Sequence, residues 1–244
     1  MKETVRIFPA PYELAEKLAE ELVDMIKAAS AKNVPITVAL SGGSTPELLF
    51  SILGDHFSKS APWKFVHFFW GDERCVPPVS PDSNFGMAFR SFFKKIDIPE
   101  RNIHRIYGEQ DCSGEAMRYA DQISEFTVKK NGIPAFDLLL LGMGEDGHTA
   151  SIFPDNLSLF YSDKICEVSI HPVSKQKRIT ITGKVINNAQ NIKFLVTGSN
   201  KAGIMKKILH KDISAKNLPA SLVAPSSGKI EWLLDSKAGS LLRQ

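Results

Sequence analysis

Residues 12–29 set Leu14, Leu18, Leu22, Met25 and Ile26 three and four positions apart with Glu and Lys between them, which predicts a helix with one apolar face. The period then changes. Val34, Ile36, Val38 and Leu40 alternate with other residues, which predicts a strand over 34–40 running into Ser41-Gly42-Gly43-Ser44-Thr45-Pro46. Pro46 suits the first turn of a helix, where a missing N–H costs nothing. Ser44 or Thr45 can cap that helix, and Ser44 with Glu47 has capping-box spacing. The segment reads as strand, glycine turn, helix.

The same alternation of element types continues. Residues 65–70 predict a short apolar strand, and 137–141 (Asp-Leu-Leu-Leu-Leu) the uninterrupted run typical of a parallel strand covered on both faces. Further strands are expected at 165–170, 178–182 and 192–197. Helices are expected at 84–95, 114–129, 184–189, 200–209 and 229–236. Strands alternating with helices predict an α/β fold with a mainly parallel sheet and helices on both faces. No linker is long enough to divide the chain, so a single domain over residues 1–244 is expected. In such sheets ligands bind beyond the carboxyl ends of the strands, which directs attention to the residues after each strand.

Composition changes this picture little. The chain has 244 residues, of which 43% are hydrophobic and 23% charged, as in ordinary globular proteins. A formal charge of +3 is too small to imply nucleic acid, and the basic residues of 201–211 read as one face of a helix. No stretch approaches the roughly 20 apolar residues of a membrane helix. The first eight residues lack the features of a secretory signal, so no membrane association and a cytoplasmic location are expected. Cys75, Cys112 and Cys166 are odd in number and never in a CxxC pair, which fits reduced thiols.

The candidate chemistry lies after the strands. Ser41, Gly42, Gly43, Ser44 and Thr45 bring a close-approaching backbone, hydroxyls and the free N–H groups of a helix start, a combination that suits a phosphate. The loop is neither a GxGxxG fingerprint nor a Walker P-loop. Asp72-Glu73-Arg74 follow the second strand, where partial burial can perturb ionisable groups. The segment from Ser80 to Phe85 reads as a structural turn into a helix. After the strand expected at 137–141, Gly142-Met143-Gly144-Glu145-Asp146-Gly147-His148 places a histidine at an expected helix start, with Asp146 or Glu145 able to fix its tautomer. Histidine titrates near neutrality and is the natural general base. Arg178 opens the strand expected at 178–182, Lys201 follows the one at 192–197, and with the Ser41 loop they have the composition a phosphate monoester requires. No HExxH, no Cys/His metal spacing and no GxSxG elbow is present, so no metal and no cofactor are expected.

Taken together, Ser-Gly-Gly-Ser-Thr-Pro, Trp70-Gly-Asp-Glu-Arg-Cys-Val-Pro77 with Ser83-Asn84-Phe85, Gly142-Met-Gly-Glu-Asp-Gly-His-Thr-Ala-Ser-Ile-Phe-Pro154 and Val196-Thr-Gly-Ser-Asn-Lys-Ala202 resemble the 6-phosphogluconolactonase family, in its order and over nearly the whole chain. The first motif and the Asp-Gly-His segment are shared with glucosamine-6-phosphate deaminases, which typically carry Asp-Glu-Tyr where this chain has Asp72-Glu73-Arg74. The resemblance implies a Rossmann-like fold and hydrolysis of 6-phospho-D-glucono-1,5-lactone, the second step of the oxidative pentose phosphate pathway. It implies His148 as general base, with Asp72 and Asp146 orienting it, the water or the sugar. Arg178, Lys201 and the Ser44-Thr45 helix start would hold the phosphate, and Arg74 would serve either the oxyanion or the phosphate. The lysines Lys175 and Lys177 beside Arg178 leave open which cation meets the phosphate. Glucosamine-6-phosphate isomerase/deaminase is the alternative activity, and monomer and dimer are both open.

Overall fold

The element that most departs from the sequence reading organises the sheet. Residues 229–236, expected to be helical, form a strand (Lys229–Asp235) in the computed structural model, which describes residues 2–242. Met1, Arg243 and Gln244, the ends of the expected domain, lie outside the described residues. The positions of Ile230, Leu233 and Leu234 fit a helix, but Ile230, Trp232 and Leu234 equally fit a strand. Pairing on both edges decides the matter.

In chain order the strands are β1 (Lys2–Phe8), β2 (Ile36–Leu40), β3 (Val66–Trp70), β4 (Asp72–Arg74), β5 (Val128–Lys130), β6 (Ile133–Ala135), β7 (Leu138–Gly142), β8 (Cys166–Ile170), β9 (Lys177–Ile181), β10 (Asn191–Val196) and β11 (Lys229–Asp235). The α-helices are α1 (Pro11–Ala31), α2 (Ser44–His56), α3 (Asn84–Ser91), α4 (Cys112–Phe126), α5 (Ser158–Tyr161), α6 (Gly183–Ile186) and α7 (Ala202–Leu209). Six strands form one parallel sheet in the order β1-β11-β10-β7-β2-β3, as expected for this α/β class. Right-handed crossovers set α1 and α2 on one face and α4, α6 and α7 on the other. Leu138, Leu139, Leu140 and Leu141 of β7 are fully buried, which explains their lack of alternation.

The winding direction reverses between β2 and β7, so the crevice beyond their carboxyl ends is the topological switch point. The Ser41 loop and the Gly142–His148 turn open there.

Other expectations are corrected by tertiary pairing. β8 and β9 do not extend the parallel sheet; they join β4 in a separate antiparallel sheet, β4-β9-β8. The helix expected over 114–129 stops at Phe126, because Asn131 and Gly132, both at positive φ, turn β5 into β6 as a hairpin. Residues 84–95 divide into α3 and a 3₁₀ turn, and 184–189 contain only the single turn α6. β1, which the sequence reading left unassigned, pairs along its whole length with β11.

One buried histidine couples the fold to pH. His104 is 2% exposed, stacks on Phe69, and its Nε2 lies 2.8 Å from Nδ1 of His67. Burial, aided by the charges of His67 and Arg118, pushes the His104 pKa down to about 3. A depressed histidine contributes stability that is complete above the unfolded value near 6.5 and is lost as pH falls toward 3. Denaturant titrations should therefore show a loss on the order of 1–2 kcal/mol between pH 7 and 5. His104→Phe should flatten that slope; an unaltered slope would remove His104 as its source.

Candidate active site

The residues singled out after the strands gather around one cavity of about 250 Å³, lined by Ser41, Gly42 and Gly43 from the end of β2 and by Gly142, Met143, Gly144 and His148 from the end of β7. Asp72, Arg74, Arg178 and Lys201 also line it, together with Asn84 and Ala150. Larger depressions exist elsewhere among the described residues, but this one lies at the switch point.

His148 is held in a defined way. Its Nδ1 donates to Asp146 Oδ1 at 2.6 Å, and its backbone N–H donates to the same oxygen at 3.1 Å. That pairing fixes the tautomer and leaves Nε2 with a free lone pair. Burial alone would raise the Asp146 carboxyl, but the hydrogen bonds from His148 outweigh it and hold Asp146 below the usual carboxylate range. Glu145, the other candidate orienter, instead accepts from Nδ2 of Asn200. Residue 148 does not start a helix as expected; it sits in a tight turn closed by the Gly144 N–H donating to the His148 carbonyl at 2.9 Å, with Gly147 at φ +80°. The imidazole packs on Phe153, ring centroids 4.8 Å apart.

Strand alternation sorts the Asp72-Glu73-Arg74 run. Asp72 pairs with Thr180 and Arg74 with Arg178 across β4 and β9, so these four residues share one face of the small sheet. Glu73 faces the other way and accepts hydrogen bonds from Ser83 Oγ and from the backbone N–H groups of Arg74, Asn84 and Phe85. It anchors the start of α3 and does not line the cavity. The same alternation turns Lys177 away from Arg178, and the Lys175 ammonium donates to the Pro172 carbonyl, so neither lysine lines the cavity.

Two arginines directly opposite on an antiparallel pair repel one another. Nε of Arg74 and Nε of Arg178 are moreover buried without a hydrogen-bond partner among the described residues, a cost of about 1–3 kcal/mol for each donor. Burial lowers the pKa of Arg178, and burial likewise lowers that of Lys201 against the pull of Glu145 and Asp146. An anion between these cations would offset all of these penalties.

The opposite wall is the start of α2. Its cap is Gly43 at φ +107°, not Ser44 or Thr45 as expected. Ser44 is exposed, the Thr45 hydroxyl bonds to Thr197 at 2.8 Å, and neither of these two expected site residues is among those lining the cavity, whose share of this segment is Ser41, Gly42 and Gly43. A Cβ added at Gly42 would lie 1.9 Å from Asn84 Oδ1, which accounts for the first glycine.

Sequence reasoning missed two residues. Asn84, read as part of a structural turn, lines the cavity and donates through Nδ2 to the Asp72 carbonyl at 2.9 Å. Ser151, given no role, donates through Oγ to Asp72 Oδ2 at 2.6 Å. Only the register of β4 on β9 brings Ser151 near Asp72, and no local pattern carries that register. Among the described residues no group of three His, Cys, Asp or Glu side chains could hold a metal ion, and no helix is long and apolar enough to cross a membrane.

Comparison with known proteins places the chain among characterised families. Residues 9–232 match the family model described as glucosamine-6-phosphate isomerases/6-phosphogluconolactonase. The chain is 42% identical over 238 residues to a 6-phosphogluconolactonase of Haemophilus influenzae, covering 96% of this chain and 98% of that protein. It is 38% identical over 232 residues to one of Synechocystis, covering 94% of each. The solved 6-phosphogluconolactonase of Trypanosoma brucei superposes with a TM-score of 0.86 at 30% identity, covering 99% of both chains. A monomeric glucosamine-6-phosphate deaminase, at 23% identity and a TM-score of 0.79, shares the fold.

Proposed function

The chain belongs to the family of glucosamine-6-phosphate isomerases and 6-phosphogluconolactonases and is an enzyme with 6-phosphogluconolactonase activity; from that premise we propose that it acts as a single domain to hydrolyse 6-phospho-D-glucono-1,5-lactone to 6-phospho-D-gluconate, with His148 as general base. The observation that carries this reading is the pairing of His148 Nδ1 with Asp146, which leaves Nε2 as the basic nitrogen in a cavity lined by three cations. A lactone is an activated ester, so the chemistry asks for a base, an oxyanion stabiliser and a hold on the phosphate.

His148 Nε2 takes a proton from water as the water oxygen attacks C1. The tetrahedral intermediate collapses, the bond from C1 to the ring oxygen breaks, and the imidazolium returns the proton to that oxygen. Asp72 orients the water and sugar from the β4 face. Arg74, beside it, meets the developing oxyanion, a role for which donors are worth roughly 3–4 kcal/mol. Arg178, Lys201 and the free N–H groups at the start of α2 hold the phosphate dianion, and this remote binding sets C1 beside the base.

Lys201→Ala should raise KM at least tenfold while kcat changes little, because it removes a contact equal in ground and transition states. An unchanged KM would put the phosphate elsewhere. The reading as a whole is tested by a coupled assay on freshly generated 6-phosphogluconolactone, with and without chelator, beside an ammonia-release assay on glucosamine 6-phosphate. Rapid, chelator-insensitive lactone opening is expected. Ammonia release without lactone opening would assign the isomerase reaction, and chelator-sensitive opening would overturn the metal-free chemistry.

A further inference from the structure

Between Asp72 and Arg178 stands a side chain that the reaction derived above does not use. Ser151 is fully buried; its Oγ donates to Asp72 Oδ2 at 2.6 Å and accepts from Arg178 Nη1 at 3.4 Å. Its position is fixed independently of that bridge. Ser169 Oγ donates to the Ser151 carbonyl at 2.6 Å, and the Ser151 N–H donates to Thr180 Oγ1 at 3.2 Å. The preceding residue, Ala150, holds a left-handed backbone at φ +48°, a conformation unfavourable for a non-glycine residue that persists where the surroundings impose it.

Asp72 is the strongest anionic neighbour of Arg178, yet among the described residues the two make no direct ion pair; the Ser151 hydroxyl lies between them. In a partly buried site a carboxylate and a guanidinium otherwise tend to close into a two-pronged pair. Such a pair would saturate both Asp72 oxygens and turn the Arg178 fork away from an incoming anion. We propose that Ser151 is a positioning residue, a hydroxyl spacer that holds the Asp72 carboxylate and the Arg178 guanidinium apart so that each keeps a free edge toward substrate. One hydroxyl satisfies both neighbours at once, as donor to the acid and acceptor from the cation. The inference rests on reading the cavity as the phosphosugar lactone site.

Three measurements test it. Ser151→Ala should lower kcat and raise KM for the lactone, each by about tenfold, and weaken inorganic phosphate measured by calorimetry several-fold. Ser151→Cys keeps a polar atom at the same place and should stay within about threefold of the wild type on all counts. In Asp72→Asn the ion pair cannot form, so adding Ser151→Ala to it should cost no further activity. Multiplying losses in the double variant, or equal losses for the Ala and Cys variants in step with a fall in thermal midpoint, would overturn the spacer and leave only a structural role. If Ser151→Ala does not fold, Ser151→Cys decides: kinetics and phosphate affinity within about threefold of the wild type are expected, and a loss of about tenfold or more in a folded Cys variant would overturn the spacer. Absence of lactone opening by the wild type would overturn the assigned reaction. The phosphate affinities would still decide the spacer, since unaltered affinity in Ser151→Ala contradicts it.

Discussion

Replacing His148 by alanine is expected to lower kcat by about 10²–10⁴ while substrate still binds. The expectation follows from the separation of roles around the cavity. His148 stands on the turn after β7, whereas Arg178 lies on β9, Lys201 follows β10, and the α2 start follows β2. Removing the imidazole therefore takes away the proposed base and leaves the proposed phosphate contacts, which lie on three other elements. KM and the dissociation constant for 6-phosphogluconate should stay within a few-fold of the wild type. Steady-state kinetics with product-binding calorimetry checks both halves, and near-normal turnover would remove His148 from the reaction.

A change two elements of logic away should come close to the same loss. A Cβ added at Gly144 would lie 2.1 Å from His148 Nδ1, 2.3 Å from Cε1 and 2.4 Å from Asp146 Oδ1. Gly144 is not among the residues at positive φ, so alanine meets no left-handed strain, and the close contacts of its Cβ are with the imidazole and its carboxylate partner. The ring must rotate, and the 2.6 Å bond from Nδ1 to Asp146 is broken. Gly144→Ala is expected to reduce kcat on the order of 10²-fold with a thermal midpoint near that of the wild type. An active Gly144→Ala enzyme would mean that the fixed orientation of His148 is not needed for turnover.

Much of this site was legible in the sequence because its pieces are local. The Ser41 loop and the Gly142–His148 run each sit directly after an apolar strand, and both end at the switch point. Two things escaped because they depend on pairing across the chain. The face of the small sheet that Asp72 shares with Arg74, and the exclusion of Lys175 and Lys177 from the cavity, rest on the antiparallel register of β4 on β9 and on the Lys175 bond to the Pro172 carbonyl. A strict alternation of period two along residues 72–74 and 177–181 would have told the faces apart, had those segments been read as a hairpin-like sheet and not as further parallel strands. The α2 cap failed for a different reason. Ser44 and Thr45 are good capping residues, but Gly43 at φ +107° takes the cap position, Ser44 falls inside the helix and is exposed, and the Thr45 hydroxyl bonds to Thr197. At β11 the local pattern fitted two periods, and two neighbouring strands chose between them.

The central claim is that one phosphosugar spans the cavity from the cations to the imidazole. A crystal structure with 6-phosphogluconate bound measures this directly. The C1 carboxylate should lie about 3 Å from His148 Nε2, with the phosphate against Arg178, Lys201 and the start of α2. A product molecule lying with its phosphate on His148, or in a different depression of the surface, would contradict it.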